Sequence, residues 1–404
     1  SYEEALQKLL AQVPKPKAVR VALEQSRGRV LACSITADLD LPPFRKSFMD
    51  GYAVRSQDVA QVPVQLQVVG KVAAGSQDQP EVGPRQAVEI MTGAPVPPGA
   101  DAVQMVEKTR QLNGSLVELL EPVSQGQNIV DRANEVREGS VVLDQGWVIG
   151  SPEMGVLATF GQSEVEVYRA PTVAVMTTGD EIVDVTRRPN FGQIRNSNAF
   201  MLWSQCADLG LETTIFPVVP DDPDRTEEAV LEGLEHDLLL LTGGVSMGEY
   251  DYVHQVLGKA GVDTFFHKAA IKPGKPVLAG RKDGHMVFGL PGNPVSAFVT
   301  FELFVRPAVR QWMGFSEIQL PRVAGRLLKP VRQKPGRKFF KPARTNWTDS
   351  GFEVEPIETK GSADLTGFSA ANSLLVLEPE VTELKAGEHP EVILLDRYFE
   401  KGKR

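Results

Sequence analysis

The chain reads as a multidomain α/β-plus-β protein. Its centre is a doubly wound, mostly parallel α/β domain, preceded by β-rich segments and followed by a small β-barrel-like C-terminal part. Two observations carry this reading. Between Thr172 and Gly314, short apolar runs alternate with helical patterns, which is the signature of right-handed βαβ units. On either side the period changes to apolar–polar alternation broken by Gly and Pro, the signature of strands with one face in water.

The elements follow in order. Residues 2 to 12 form an amphipathic helix that stops before Pro14. From there to about residue 168 the chain is mostly antiparallel β with a few short helices. Val64–Val69 and Ser115–Leu120 are typical strands, the second after an Asn113-Gly114 turn signal. In the central segment Val173–Met176, Thr213–Val218, Leu238–Leu241 and Val287–Leu290 are strands. Asn198–Leu209, Asp224–His236 and Tyr252–Ala260 are helices, the first closed by Gly210 and the last by Gly261. A long helix runs from Pro294 to about Met313. After Pro321 short β-like runs return, with turn signals at Asp349-Ser350-Gly351 and Lys385-Ala386-Gly387. No internal repeat or low-complexity segment interrupts this order.

Composition bounds the function. At 404 residues the chain suits two to four domains, and 42% hydrophobic with 24% charged residues is globular. A formal net charge of -9 argues against general nucleic-acid binding. No apolar run approaches the ~20 residues that span a bilayer. The opening residues have neither a basic region nor an apolar core, so no signal peptide is expected. Cys33 and Cys206 lie far apart with no metal spacing, which fits free thiols in a reducing cytosol.

In an open α/β sheet, ligands bind outside the carboxyl ends of the strands. Four loops there share one chemistry: Thr177-Thr178-Gly179-Asp180-Glu181, Pro220-Asp221-Asp222-Pro223, Thr242 through Asp251, and Pro291-Gly292-Asn293-Pro294. The third carries Gly243, Gly244 and Ser246 before Glu249 and Asp251. Glycines let a backbone close on a phosphate. Asn293 as N-cap with Pro294 at the first helical position presents free N–H groups to an anion, and Ser296 adds a hydroxyl. Lys268, Lys272 and Lys275 supply positive charge. The carboxylates of Asp180, Glu181, Asp221, Asp222, Glu249 and Asp251 are oxygen ligands for Mg²⁺. Each acid alone is equally a turn former or helix cap. Together they read as nucleotide or pyrophosphate chemistry. Two loops of the β region, Ser47 to Val54 around Asp50 and Met91 to Asp101 headed by Thr92, suggest a second cleft wall.

The motifs MDGYAV, MTGAPVPPGAD, TTGDE, TGGVSMGEYD, IKPGKP and LPGNPVSA occur in this order between residues 49 and 297. The ordered set resembles the molybdenum insertases (molybdopterin molybdotransferases), the family that includes the E domain of gephyrin. The resemblance implies a cytoplasmic homodimer of four-domain subunits. Residues 1–40 with 136–168 would form the first domain, 41–135 an inserted β-rich domain, 169–316 the α/β domain and 317–404 the C-terminal β domain. It implies adenylylated molybdopterin and molybdate as substrates, Mg²⁺ as cofactor, and AMP and molybdenum cofactor as products. A molybdopterin adenylyltransferase and molybdoenzymes are then potential protein partners, with no nucleic acid and no membrane.

Carried over by motif, Asp50, Thr92, Glu181, Lys268 and Lys272 would be catalytic. Gly243, Gly244, Ser246, Lys275, Pro291, Gly292, Asn293, Pro294 and Ser296 would hold substrate. Glu181, Asp221, Asp251 and Glu135 would hold metal. Two departures stand out. Arg45-Lys46 replace the family's usual Asp-Asn, and Ala133-Asn134-Glu135 replace Gly-Glu-Asp. Alternatives from other classes are a scaffold that binds partner peptides, as the gephyrin E domain does, and a molybdopterin adenylyltransferase. The sequence leaves molybdate and tungstate unseparated.

Overall fold

A computed structural model of the chain describes residues 1–113, 115–243 and 252–395, with Tyr252 described in its backbone only. Two compact units emerge. One comprises 1–20, 28–32 and 166–404, the other 21–27 and 33–165.

The first unit is built on a six-stranded sheet. Its strands are β1 (Val173–Thr177), β2 (Thr213–Ile215), β3 (Leu238–Thr242), β4 (Asp263–Phe266), β5 (Leu278–Lys282) and β6 (His285–Leu290), in spatial order 2-1-3-6-5-4. The first four in that order run parallel, with Val173 opposite Leu238 and Leu238 opposite Met286. Alternation of side chains explains why these strands are apolar throughout. Val173, Val175, Leu238, Leu240 and Phe288 enter one buried cluster, whereas Ala174, Met176, Leu239, Leu241 and Val287 enter another.

Helices cover both faces. On one lie α1 (Tyr2–Leu10), α2 (Ser197–Asp208) and the helical run after β6. On the other lie α3 (Pro223–Gly233) and α4 (Tyr252–Lys259). Each start is chemically marked. Ser1 and Glu4 form a capping box, Asn196 accepts from Ala199 N–H, and Asp222 accepts from Arg225 N–H ahead of Pro223.

Two expectations change. β4 and β5 extend the parallel sheet as an antiparallel edge, and β5 joins β6 through Asp283 (φ 49°) and Gly284 (φ 93°). That Asp-Gly pair is a hairpin signal in the sequence. The single long helix after Pro294 is three pieces: α5 (Pro294–Thr300), a π-helical turn (Phe301–Val305) and α6 (Arg306–Trp312). The widened turn precedes Pro307, which has no N–H and whose ring crowds the carbonyl four residues back.

The C-terminal β segment, expected to be barrel-like, is a mixed sheet. Its strands form an open mixed sheet of seven, with Lys338–Thr348 and Ser373–Leu377 central and Ile271–Lys272 added beside Lys338–Phe339. Leu374, Val376 and Ile393 pack into the cluster that holds α1 and α2, while Leu375, Leu377 and Val392 form a second one. Both faces are buried, so this sheet and the α/β layer share a core.

The second unit contains a six-stranded sheet in the order 102–105, 51–54, 86–90, 64–72, 116–119, 109–113. It is antiparallel except where Val64–Val72 runs parallel to Gln86–Ile90. Tyr52, Leu66 and Val117 fill one face, and Ala53, Val88 and Val103 the other. Among the described residues, no helix is long and apolar enough to cross a membrane.

Candidate functional site

β1 lies between β2 and β3, so the chain leaves it first to one side and then to the other. This is the topological switch point at which open α/β sheets bind ligands. The loops there are tied together. Thr178 N–H donates to Thr242 O at 3.0 Å and Gly179 N–H to Val219 O at 3.2 Å. Asp221 N–H donates to Asp180 Oδ1 at 3.1 Å, and Asp180 N–H to Asp221 Oδ2 at 3.5 Å. Asp180, Glu181 and Asp221 are exposed beside one another on the laced loops. Asp222 is assigned elsewhere, since its carboxylate caps α3.

Two glycines permit the close approach. Gly243 has φ +98°, and a Cβ on it would sit 2.3 Å from Thr178 O. A Cβ on Gly292 would lie 3.8 Å from Gly243 Cα, so the ends of β3 and β6 also adjoin. Asn198, on the first turn of α2, locks them by donating to Thr242 Oγ1 at 2.9 Å and Gly292 O at 2.8 Å. Thr242 Oγ1 in turn donates to Pro291 O at 3.2 Å. Thr178 Oγ1 and Asn198 Oδ1 are buried at this seam without a hydrogen-bond partner among the described residues. Such orphaned oxygens invite a ligand. Gly244, Ser246, Glu249 and Asp251 fall outside the described residues.

The anion site expected at the start of α5 is altered. Asn293 holds the N-cap position, but its side chain donates to Ser362 Oγ at 3.0 Å instead of capping. Val295 N–H, expected to be free, donates to Ser362 O at 3.0 Å. Ser296 is buried, at 4% exposure, and offers no hydroxyl to the surface. Pro291 is buried, whereas Gly292 is exposed and Pro294 half-buried. The chain's own 360–364 loop has taken the place assigned to an anion.

Positive charge gathers instead around Lys272. Its strand pairs with Lys338–Phe339, which sets Lys272 Nζ 4.3 Å above the Phe339 ring. Burial, then the charges of Arg337, Lys341 and Lys334, lower its pKa. Lys341 is paired with Glu358 at 3.0 Å. Among the described residues, Lys272, Lys334 and Arg337 have no carboxylate within ion-pair distance. Lys268 and Lys275 are exposed at the neck of the same loop, closed by Ala269 N–H donating to Lys275 O at 3.1 Å. Arg337, Lys334 and Ser362 escape sequence reasoning because they stand about 40 or more residues beyond the IKPGKP and LPGNP motifs. A Gly336-Arg337-Lys338 run was the available signal.

In the second unit Asp50 and Thr92 meet. Thr92 N–H and Thr92 Oγ1 both donate to Asp50 Oδ1, at 2.6 and 2.8 Å. The backbone bond first, and the hydroxyl bond second, lower the pKa of this exposed carboxyl. Glu135 is exposed and lies 3.6 Å from Lys46, and Arg45 lies 3.3 Å from Asp131. The two unusual cations are thus matched by two acids of the 131–135 loop. Ala133, standing where the family has Gly, keeps a left-handed φ of 60°.

Mg²⁺ suits this donor set only with substrate present. Among the described residues no three His, Cys, Asp or Glu side chains form a ready-made cage. Asp180, Glu181 and Asp221 are hard oxygen donors, and Mg²⁺ ordinarily takes one or two carboxylates plus phosphate oxygens and water.

Comparison with known proteins matches three family regions in order. Residues 1–161 match the MoeA N-terminal region (domains I and II), 174–311 a molybdopterin-binding domain described as probable, and 324–395 the MoeA C-terminal region (domain IV). A Staphylococcus aureus (strain Mu50) protein named molybdopterin molybdenumtransferase is 37% identical over 400 residues, covering 98% of this chain and 95% of its own. A protein of the same name from Staphylococcus epidermidis (strain RP62A) is 33% identical over 402 residues, covering 98% and 96%. The crystal structure of a molybdopterin biosynthesis MoeA protein from Pyrococcus horikoshii superposes with a TM-score of 0.83 at 30% identity. It covers 97% of this chain and 98% of that one.

Proposed function

The chain belongs to the MoeA family of molybdopterin molybdenumtransferases, and from that premise we propose that it transfers molybdenum from molybdate to adenylylated molybdopterin, releasing AMP and forming molybdenum cofactor. The observation that carries the reading is the lacing of Asp180 and Asp221 at the switch point, on the loop that also carries Glu181 and the orphaned Thr178 oxygen. Glu181 and Asp221 would hold Mg²⁺ there. When bound, the ion neutralises pyrophosphate oxygens and polarises the bond that releases AMP. Lys272, with Arg337 and Lys334 beside it, attracts the molybdate dianion. The Phe339 ring beneath it holds the ammonium in place, and partial burial reduces the solvent screening of that attraction. Lys268 and Lys275 flank the same entrance.

The Asp50–Thr92 pair belongs to the same reading. In the homodimer implied by the family, that loop of one copy serves the strand-end cluster of the other. Thr92 holds the Asp50 carboxylate ionised and fixed in direction, ready to orient substrate or metal. A match to all three MoeA regions favours this reading over an adenylyltransferase. Purified protein supplied with adenylylated molybdopterin, Mg²⁺ and molybdate should release AMP in proportion to molybdate. Absence of release with either molybdate or tungstate, or release indifferent to both, defeats the proposal.

A further inference from the structure

Between Glu181 and the N-cap Asn196, the chain makes an excursion that no motif marks, Asp184 to Arg195. Phe191 on it is fully exposed, Ile194 is 57% exposed and Val185 37%. Single exposed apolar residues are ordinary, but three within ten residues are not. The same segment carries Arg187, Arg188 and Arg195, all exposed, in a chain of net charge -9. Among the described residues none of the three is within ion-pair distance of a carboxylate.

The excursion is held in shape by its own hydrogen bonds. Asp184 Oδ1 accepts from Thr186 N–H and Oγ1 at 2.9 and 2.5 Å, and Arg187 N–H donates to Asp184 O at 3.0 Å. Asn190 N–H donates to Gln193 Oε1 at 3.1 Å, closing the turn of Phe191 and Gly192 (φ 84°). Arg195 Nε donates to Arg187 O at 2.9 Å. Both ends are anchored at the switch point, Ile194 N–H to Glu181 O at 2.8 Å and Asn196 N–H to Val183 O at 2.9 Å. A braced segment presents an aromatic ring and unpaired guanidinium groups beside the acidic loops. A ligand with a flat π face and an anionic group complements both.

We propose that residues 184–195 form a recognition arm for the nucleotide part of the substrate. Phe191 stacks on the base, and Arg187 and Arg188 pair with the phosphate. The inference rests on the adenylylated substrate proposed above. Its test uses AMP, adenosine and ribose 5-phosphate titrated calorimetrically into the full-length protein. AMP should bind most tightly. Phe191→Ala should weaken AMP roughly 5- to 100-fold and leave ribose 5-phosphate unchanged, with Phe191→Trp restoring affinity. Arg187→Ala with Arg188→Ala should weaken AMP and ribose 5-phosphate and spare adenosine. Melting temperatures should stay at the wild-type value, because these side chains are exposed. AMP affinity unchanged in both variants, or no AMP binding to the wild type at millimolar concentration, overturns the arm. The transferase reading is judged separately, by oxyanion-dependent AMP release from the wild type.

Discussion

At the scale of single residues, hydrogen bonds fix the charges of the candidate site in direction. Asp50 accepts two bonds from Thr92, and both favour its ionised form. A lowered carboxyl pKa adds stability above the unfolded value near ~3.9 and loses it as pH falls through the folded one. Assays above about pH 5 therefore meet a fully ionised Asp50. Asp50→Asn keeps the shape and removes the charge of an exposed side chain, so the melting temperature should change little. Molybdate-dependent AMP release should fall at least ~tenfold, or ~1.4 kcal/mol of barrier. A lower melting temperature with unchanged turnover would make Asp50 a turn former only. Lys272→Ala removes the centre of an unneutralised cationic group. The molybdate concentration for half-maximal release should rise ~tenfold or more, and Lys272→Arg should recover part of the loss. An unchanged molybdate dependence would remove Lys272 from oxyanion binding.

At the scale of elements, the two ends of β1 and β3 divide the labour. The carboxyl ends carry the candidate site, and Gly243 is where they are pressed together. Gly243→Ala must put a Cβ at φ +98° and 2.3 Å from Thr178 O. Strain plus overlap should cost roughly 2–4 kcal/mol, read as a fall in melting temperature of several degrees or more. The amino ends are clamped by Asp237, which takes Arg169 at 2.6 and 2.7 Å and Thr172 N–H at 2.9 Å. Partial burial works against the charge, but Arg169 and Thr172 outweigh it and hold the pKa down to about 2. Asp237→Asn should lose about 2 kcal/mol near neutral pH. Because the wild type's advantage needs the ionised form, the gap in melting temperature should close as pH falls from about 4 to about 2. AMP release well below melting should be untouched.

The sequence's legibility follows the same division. β1, β3 and β6 were readable because a strand buried on both faces must be apolar without interruption. β4 and β5 were not, since Asp263, Thr264, Arg281 and Lys282 dilute an edge that water can reach. The acid loops were readable from local chemistry. The cations around Lys272 and the seating of Ser362 on Asn293 required knowing that the C-terminal sheet shares a core with the α/β layer. No spacing rule encodes such long-range packing. Lys46 with Glu135 shows a third case: each replaces a family residue, and only the 3.6 Å contact shows that the two changes match.

At the scale of the molecule, two units enclose separate cores, so the whole chain should not melt as one cooperative step. Calorimetry is expected to give a measured enthalpy larger than the van't Hoff value, and a ratio of one would refute it. The division also imposes an order on biosynthesis. Everything in the 33–165 core has been synthesised by residue 165. Tyr2, Leu6 and Leu9 of α1 precede that core in the chain, yet find their place among Leu374, Ile393 and Leu395, which are synthesised long after it. At ~5–20 residues per second the wait between these events is roughly 10–50 s. A nine-residue helix is not stable by itself in water, so for that interval α1 stays unfolded. α1 is thus a late addition to a structure otherwise nearly built.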